Sequence, residues 1–156
     1  MRALVVFYSR TGHTRKVALE IAKVLKCDTE EISEPAGRSG ILGYIKSGYE
    51  ASRAIRVHIR KPEHDPSKYG LVVVGTPVWG WNVSSPVRAY LSANSGKLRK
   101  AAFFCACGGQ PGKAFESMER AAGARPVATL KVTESDVASG VYKEKAREFA
   151  AFLMRA

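Results

Sequence analysis

The sequence predicts an α/β fold: a doubly wound five-stranded parallel sheet with helices on both faces. Three observations predict it. Apolar runs bounded by glycine or turn residues alternate five times with segments of helical periodicity, and strands alternating with helices form parallel sheets through right-handed crossovers. The strand-like runs are continuous rather than alternating, as expected for strands covered on both sides. The 156 residues, 46% hydrophobic and 25% charged, suit one domain over residues 1–156 with one substantial core.

The first strand is Ala3–Tyr8. The turn Ser9-Arg10-Thr11-Gly12-His13-Thr14 follows, then a helix to about Lys26 with Val17, Ala18, Ile21, Ala22 and Leu25 on one face. Cys27–Ile32 is short and weakly patterned, a second strand nearer an edge. Ser33–Lys68 is the least regular part: loop composition over Glu34–Gly40, then Ile41, Leu42, Ile45, Tyr49 and Ser52 at helical spacing. Gly43 and Gly48 weaken that second helix by roughly 1 kcal/mol each relative to alanine. Arg53, Arg56, Arg60 and Lys61 then form a basic surface segment, and Pro62–Pro66 a loop.

Leu71-Val72-Val73-Val74-Gly75 is the clearest buried strand, continuous and β-branched. Thr76–Ser85 reads as a loop, with Ser85 as N-cap and Pro86 opening a helix whose apolar face is Val87, Tyr90 and Leu91. Asn94-Ser95-Gly96 stops it. Ala101–Cys107 is the fourth strand and Gly108–Gly112 a glycine-rich loop. A helix with Phe115, Met118 and Ala122 on one face ends at Gly123. Val127–Val132 is the fifth strand, and Tyr142, Ala146, Phe149 and Leu153 mark the last helix.

The chain carries 25 basic against 14 acidic residues, a net charge of +11. That balance favours anionic partners and says nothing about fold. No apolar run reaches the length of a membrane span and no signal-peptide pattern is present, which points to the cytoplasm. Cysteine usage excludes a disulfide framework and a zinc site: three cysteines, no CxxC, no Cys/His group at ligand spacing. Cys105 and Cys107 are expected to point apart along their strand and to remain reduced.

In an open parallel sheet, ligands bind at the carboxyl ends of the strands. Three unusual loops follow strands: Ser9–Thr14, Thr76–Ser85 and Gly108–Gly112. The first crowds hydroxyls and a glycine at a helix start, where amides and the dipole favour a phosphate; the bland reading is a capped helix. The second sets Trp79 and Trp81 around Gly80, suited to a flat ring. The third offers backbone with few side chains. Together they suit a ligand with a phosphate tail and an aromatic head.

The residues here resemble a family. Ser9-Arg10-Thr11-Gly12-His13-Thr14 after the first strand looks like the phosphate loop of flavodoxins. Gly75-Thr76-Pro77-x-x-x-x-Asn82, followed by a helix containing Arg88, is similar to the flavin-ring loop of flavodoxin-fold quinone reductases. The likeness runs from residue 1 to about 154. It implies strand order 2-1-3-4-5 and non-covalent FMN. The hydroxyls of Ser9, Thr11 and Thr14 and the amides of Arg10, Thr11, Gly12, His13 and Thr14 would hold the phosphate. Thr76, Pro77, Val78, Trp79, Gly80, Trp81 and Asn82 would line the ring, with Trp79 or Trp81 stacking on it and the Gly80 peptide reaching its reactive nitrogen. Cys107, Gly108 and Gly109 would approach the other side.

The resemblance further implies electron transfer, or NAD(P)H-dependent quinone or flavin reduction, in which no side chain need act as acid, base or nucleophile. It implies a redox protein or a small quinone-like acceptor as partner. Electron-carrier flavodoxins are usually strongly acidic, whereas this chain is basic, so an acidic partner is expected instead. The third loop also has Gly and Pro where carriers often present an aromatic ring, and the chain lacks the long insertion of the larger flavodoxins. Other readings fit less well. GxxxxGK[ST] is absent after the first strand. Cys107-x5-Lys113 lacks the arginine of a phosphatase loop. Thr76 stands where a response regulator needs aspartate. A basic binding module for nucleic acid or anionic membrane would rest on the charge and the Arg53–Lys61 segment, which lacks interleaved aromatics; nucleic acid is therefore the weaker partner.

Overall fold

The computed structural model describes residues 2–35, 46–49 and 57–156. Its strands are β1 (Ala3–Phe7), β2 (Asp28–Glu31), β3 (Leu71–Trp79), β4 (Asn82–Val83), β5 (Ala101–Cys107) and β6 (Thr129–Thr133). Its helices are α1 (His13–Leu25), α2 (Ser85–Ala93), α3 (Ala114–Ala122), α4 (Glu134–Ser139) and α5 (Tyr142–Arg155). The five long strands are parallel in the order β2-β1-β3-β5-β6, and the two-residue β4 pairs antiparallel with β3 alone. With β4 set aside, this is the expected 2-1-3-4-5 arrangement.

The continuous apolar runs explain the middle of the sheet. Every residue of β1 and of β5 is buried, because alternate side chains feed two cores. Leu4, Val6, Val72, Val74 and Phe103 pack against Val87, Tyr90 and Leu91 of α2 and Met118 of α3. Val5, Phe7, Val73 and Phe104 pack against Val17 and Ile21 of α1 and Phe149 and Leu153 of α5. A fully buried phenylalanine such as Phe103 or Phe104 contributes about 1.5–3 kcal/mol. Gly75 is fixed by this packing: a Cβ there would lie 1.9 Å from Phe104 Cζ. Strand β2 is the polar edge, burying only Glu30, whose carboxylate accepts from the His64 amide at 2.8 Å and lies 2.8 Å from His64 Nδ1.

Several expectations change. Strand β3 continues four residues past Gly75, so Thr76–Trp79 is strand rather than loop, and Gly80-Trp81 turns it back into β4. The N-cap of α2 is Ser84, one residue earlier than expected. Helix α4 was not anticipated; Thr133 caps it in a reciprocal pair with Asp136. The thiols of Cys105 and Cys107 share a face and hydrogen-bond to each other, because residues two apart on a strand point the same way. Of the expected second helix, residues 46–49 are helical and the remainder, with Arg53 and Arg56, lies outside the described residues.

Candidate functional site

The carboxyl ends of β1, β3 and β5 bring the three unusual loops to one edge of the sheet. After β1 the chain turns sharply. Gly12, at φ 102, is the N-cap of α1, and its amide donates to Ser9 Oγ at 3.0 Å. The first main-chain bond into the helix runs from the Lys16 amide to the Gly12 carbonyl, 3.1 Å. The amides of Thr11, His13 and Thr14 have no acceptor among the described residues, as at any helix start that awaits an outside partner. No side chain caps the helix, so the plain capping role fails here. Ser9 braces the turn from inside; Thr11 faces solvent and Thr14 is buried beneath it.

The second loop is a tight hairpin. Gly80 and Trp81 both have positive φ, 54 and 63, as in the two-residue turns that match strand twist. Glycine takes that conformation freely; tryptophan does not. Trp81 is nevertheless 71% exposed, whereas Trp79 is 6% exposed and meets the Tyr8 ring edge-on at 5.4 Å. Trp79 is therefore a core residue that also lines the cleft, and of the two tryptophans Trp81 is the one whose side chain is open. Three contacts hold the hairpin. The fully buried Thr76 hydroxyl accepts from the Ser84 amide at 3.0 Å, lies 2.9 Å from Ser84 Oγ and donates to the Pro77 carbonyl at 2.8 Å. The Lys113 amide donates to the Trp81 carbonyl at 2.7 Å. Gly112, at φ 57, lies so close that a Cβ would sit 2.2 Å from that carbonyl oxygen. The third loop thus clamps the tip of the second.

Two clefts run along this edge. One, of about 100 Å³, is lined by Arg10, Thr11, His13, Thr14, Pro77, Val78, Trp79, Ala106, Cys107, Gly108 and Glu134. The other, of about 360 Å³, is lined by Val78, Gly80, Trp81, Gly108, Gly109 and Gln110. They meet at Val78 and Gly108. Twelve of the sixteen residues singled out in the sequence face one cleft or the other. Ser9, Gly12, Thr76 and Asn82 do not. Ser9 and Gly12 bond each other, the Thr76 hydroxyl is spent on the hairpin, and Asn82 Oδ1 accepts from the Val83 amide at 2.9 Å. Ala106, Gln110 and Glu134 were missed. Glu134 follows the last residue of β6, so the rule that ligands gather at strand carboxyl ends would have found it.

The charge of the site is mixed. Arg10 and His13 line the same end as the single acid Glu134. Burial pushes the thiols of Cys105 and Cys107 upward. A nucleophilic cysteine needs its thiol moved the other way, so this surrounding does not favour Cys107 as a nucleophile. No group of three or more His, Cys, Asp and Glu suited to a metal occurs among the described residues.

The architecture is that of the doubly wound parallel α/β class. More particularly, it is the flavodoxin-like fold. No protein-family model and no curated protein matches the chain. Solved structures do. A flavoprotein from Lactobacillus acidophilus NCFM, determined in complex with FMN, is 21% identical with a TM-score of 0.73, covering 88% of this chain and 97% of its own. A WrbA-like flavodoxin from Agrobacterium tumefaciens is 15% identical with a TM-score of 0.61, over 96% and 92%. Oxidised flavodoxin 1 from Bacillus cereus is 19% identical with a TM-score of 0.60, over 99% and 98%.

Proposed function

We propose that this protein binds FMN non-covalently and acts as a redox protein. The observation that carries this reading is the continuity of the cleft. It leads from the unpaired amides at the start of α1, past the bare backbone of Gly108 and Gly109, to the exposed face of Trp81. The residues fit the cofactor: space at Gly12, Gly108 and Gly109 is open, with nothing within 4 Å of a Cβ built there. Thr11, Thr14 and the loop amides would hold the phosphate, with Arg10 adding charge. Trp81 would stack on the ring while Trp79 walls the cleft from the core. FMN supplies the electron chemistry when bound. The protein's part is to bind, orient and shield, and Cys107 remains a protonated wall residue. The same reading takes a small quinone-like acceptor or an acidic redox protein as partner, with NAD(P)H as one source of electrons.

FMN titration followed by tryptophan fluorescence tests it. Binding at micromolar FMN is expected, and Trp81→Ala should weaken it by about 1–3 kcal/mol, roughly 5- to 160-fold. Absence of binding overturns the reading; an unchanged affinity in Trp81→Ala overturns the ring placement. Stepwise reduction of the loaded protein, then addition of NADPH and a quinone, distinguishes a carrier from a reductase.

A further inference from the structure

The edge of the sheet opposite the cleft carries its own chemistry. The described segments that lead into the strands from this side carry bases. Arg2 precedes β1, Lys68 precedes β3, Lys97, Arg99 and Lys100 precede β5, and Arg155 ends α5. Hydrogen bonds tie these segments into one surface. The Gly70 amide donates to the Arg2 carbonyl at 2.8 Å, the Val72 amide to the Lys100 carbonyl at 2.9 Å, and Lys100 Nζ to the Ala156 main-chain oxygen at 3.0 Å. Asp65, whose carboxyl is held down first by bonds from Ser67, also lies in the field of both Lys68 and Lys97, which places those cations on one side. Among the other described acids near this pole, Asp28 is taken by Tyr69 and Arg2, and Glu119 lies 3.9 Å from Arg125 in the connection before β6.

Exposed apolar side chains sit among these bases. Met154 and Phe152 at the end of α5 are 63% and 47% exposed, and Val127 is exposed where its amide bonds Ala101, the residue after Lys100. Bases alone would suit any polyanion. Bases interleaved with exposed methionine, phenylalanine and valine suit a surface that is anionic at its boundary and apolar just beneath it. A phosphodiester backbone offers no such second layer. No helix among the described residues is long and apolar enough to cross a membrane.

We infer that this pole docks on the surface of an anionic lipid bilayer, with Lys97, Arg99 and Arg155 at the headgroups and Met154 and Val127 entering the boundary beneath them. Docked this way, the cleft at the opposite edge opens toward water, available to a water-borne partner. The inference does not depend on which ligand the cleft holds.

Co-sedimentation of the whole protein with vesicles tests it. Vesicles of equimolar phosphatidylserine and phosphatidylcholine should retain the protein; phosphatidylcholine alone should not. Raising the salt should release it. Lys97→Gln with Arg99→Gln should lower partition about 30-fold, about 5-fold for each charge removed near the surface. Met154→Ser should lower it several-fold while leaving retention on duplex DNA unchanged; urea midpoints should stay at the wild-type value in both variants because all three side chains are exposed. Equal binding to both vesicle types overturns the proposal. So does a Met154→Ser variant that binds anionic vesicles as well as wild type while the charge variant does not, because the pole then reads charge alone, as a nucleic acid or acidic protein site would.

Discussion

Replacing Gly112 with alanine tests how the hairpin that carries Trp81 is held. The residue sits at φ 57, where an L side chain costs about 1–2 kcal/mol. Its Cβ would lie 2.2 Å from the Trp81 carbonyl oxygen and 2.8 Å from the carbonyl carbon. Both are main-chain atoms, so no rotamer change relieves the contact, and one loop must retreat from the other. Retreat breaks the 2.7 Å bond from the Lys113 amide to the Trp81 carbonyl, worth about 0.5–1.5 kcal/mol. A loss of about 2–3 kcal/mol in unfolding free energy follows, read as a lower urea midpoint at constant slope. Gly109→Ala is the control. It lies in the same loop with nothing within 4 Å of its Cβ, and should stay within about 1 kcal/mol of wild type. FMN affinity should also fall in Gly112→Ala, because the hairpin tip that carries Trp81 moves; Gly109→Ala serves as a control for stability alone, since its Cβ would enter the cleft. Equal stabilities for the two variants would refute the clamp.

Two further outcomes concern the supports around the cleft. Thr76→Val keeps the shape of a fully buried side chain but takes the acceptor from the Ser84 amide; urea unfolding should register a loss of about 1–3 kcal/mol, and no loss would show that the hairpin stands without this brace. Asp136 is held below its ordinary value of 3.8, first by Lys145 and next by the Thr133 amide. A carboxyl depressed in the folded state contributes stability above its unfolded value and loses it as pH falls through the folded one. Asp136→Asn keeps an acceptor for Thr133 but removes the charge facing Lys145. The variant should be less stable by under about 1 kcal/mol at neutral pH, the gap closing below pH 3.8; a gap that widens in acid would contradict the pairing.

The sheet was legible because burial on two sides writes itself as unbroken apolar runs. Val72–Val74 and Phe103–Cys105 could hardly be anything else, and their order followed from the family the loops resemble. What escaped was decided by contacts far apart in sequence. Thr76 reads as a loop residue after Gly75, yet Thr76 and Pro77 pair with Cys105 and Ala106 of β5, and Val78 and Trp79 with Val83 and Asn82 of β4, which carries the strand onward. Trp79 and Trp81 are chemically identical and two residues apart, so nothing local says which enters the core. Tyr8, at the end of another strand, decides it by packing on Trp79. Helix α4 was missed for a local reason: its Thr133-x-x-Asp136 start was present but sits before a segment with a single buried apolar residue, Val137, too few for periodicity to show.

Trp81 carries two local costs at once, a left-handed backbone and a large apolar face in water. The turn is held through its main chain: Lys113 donates its amide to the Trp81 carbonyl, Gly112 makes room by its missing side chain, and Asn82, the next residue, pairs back with Trp79. Such supports fix where the ring stands while leaving its face uncovered. A tryptophan serving only the core would need the opposite arrangement, which is what Trp79 has. The turn at Gly80 gives two like residues on one strand end unlike tasks: Trp79 anchors the strand in the core, and Trp81 holds an open aromatic surface beside the bare backbone of Gly108 and Gly109. A planar ligand entering between them would meet a surface already in place, so its binding would carry little further ordering cost.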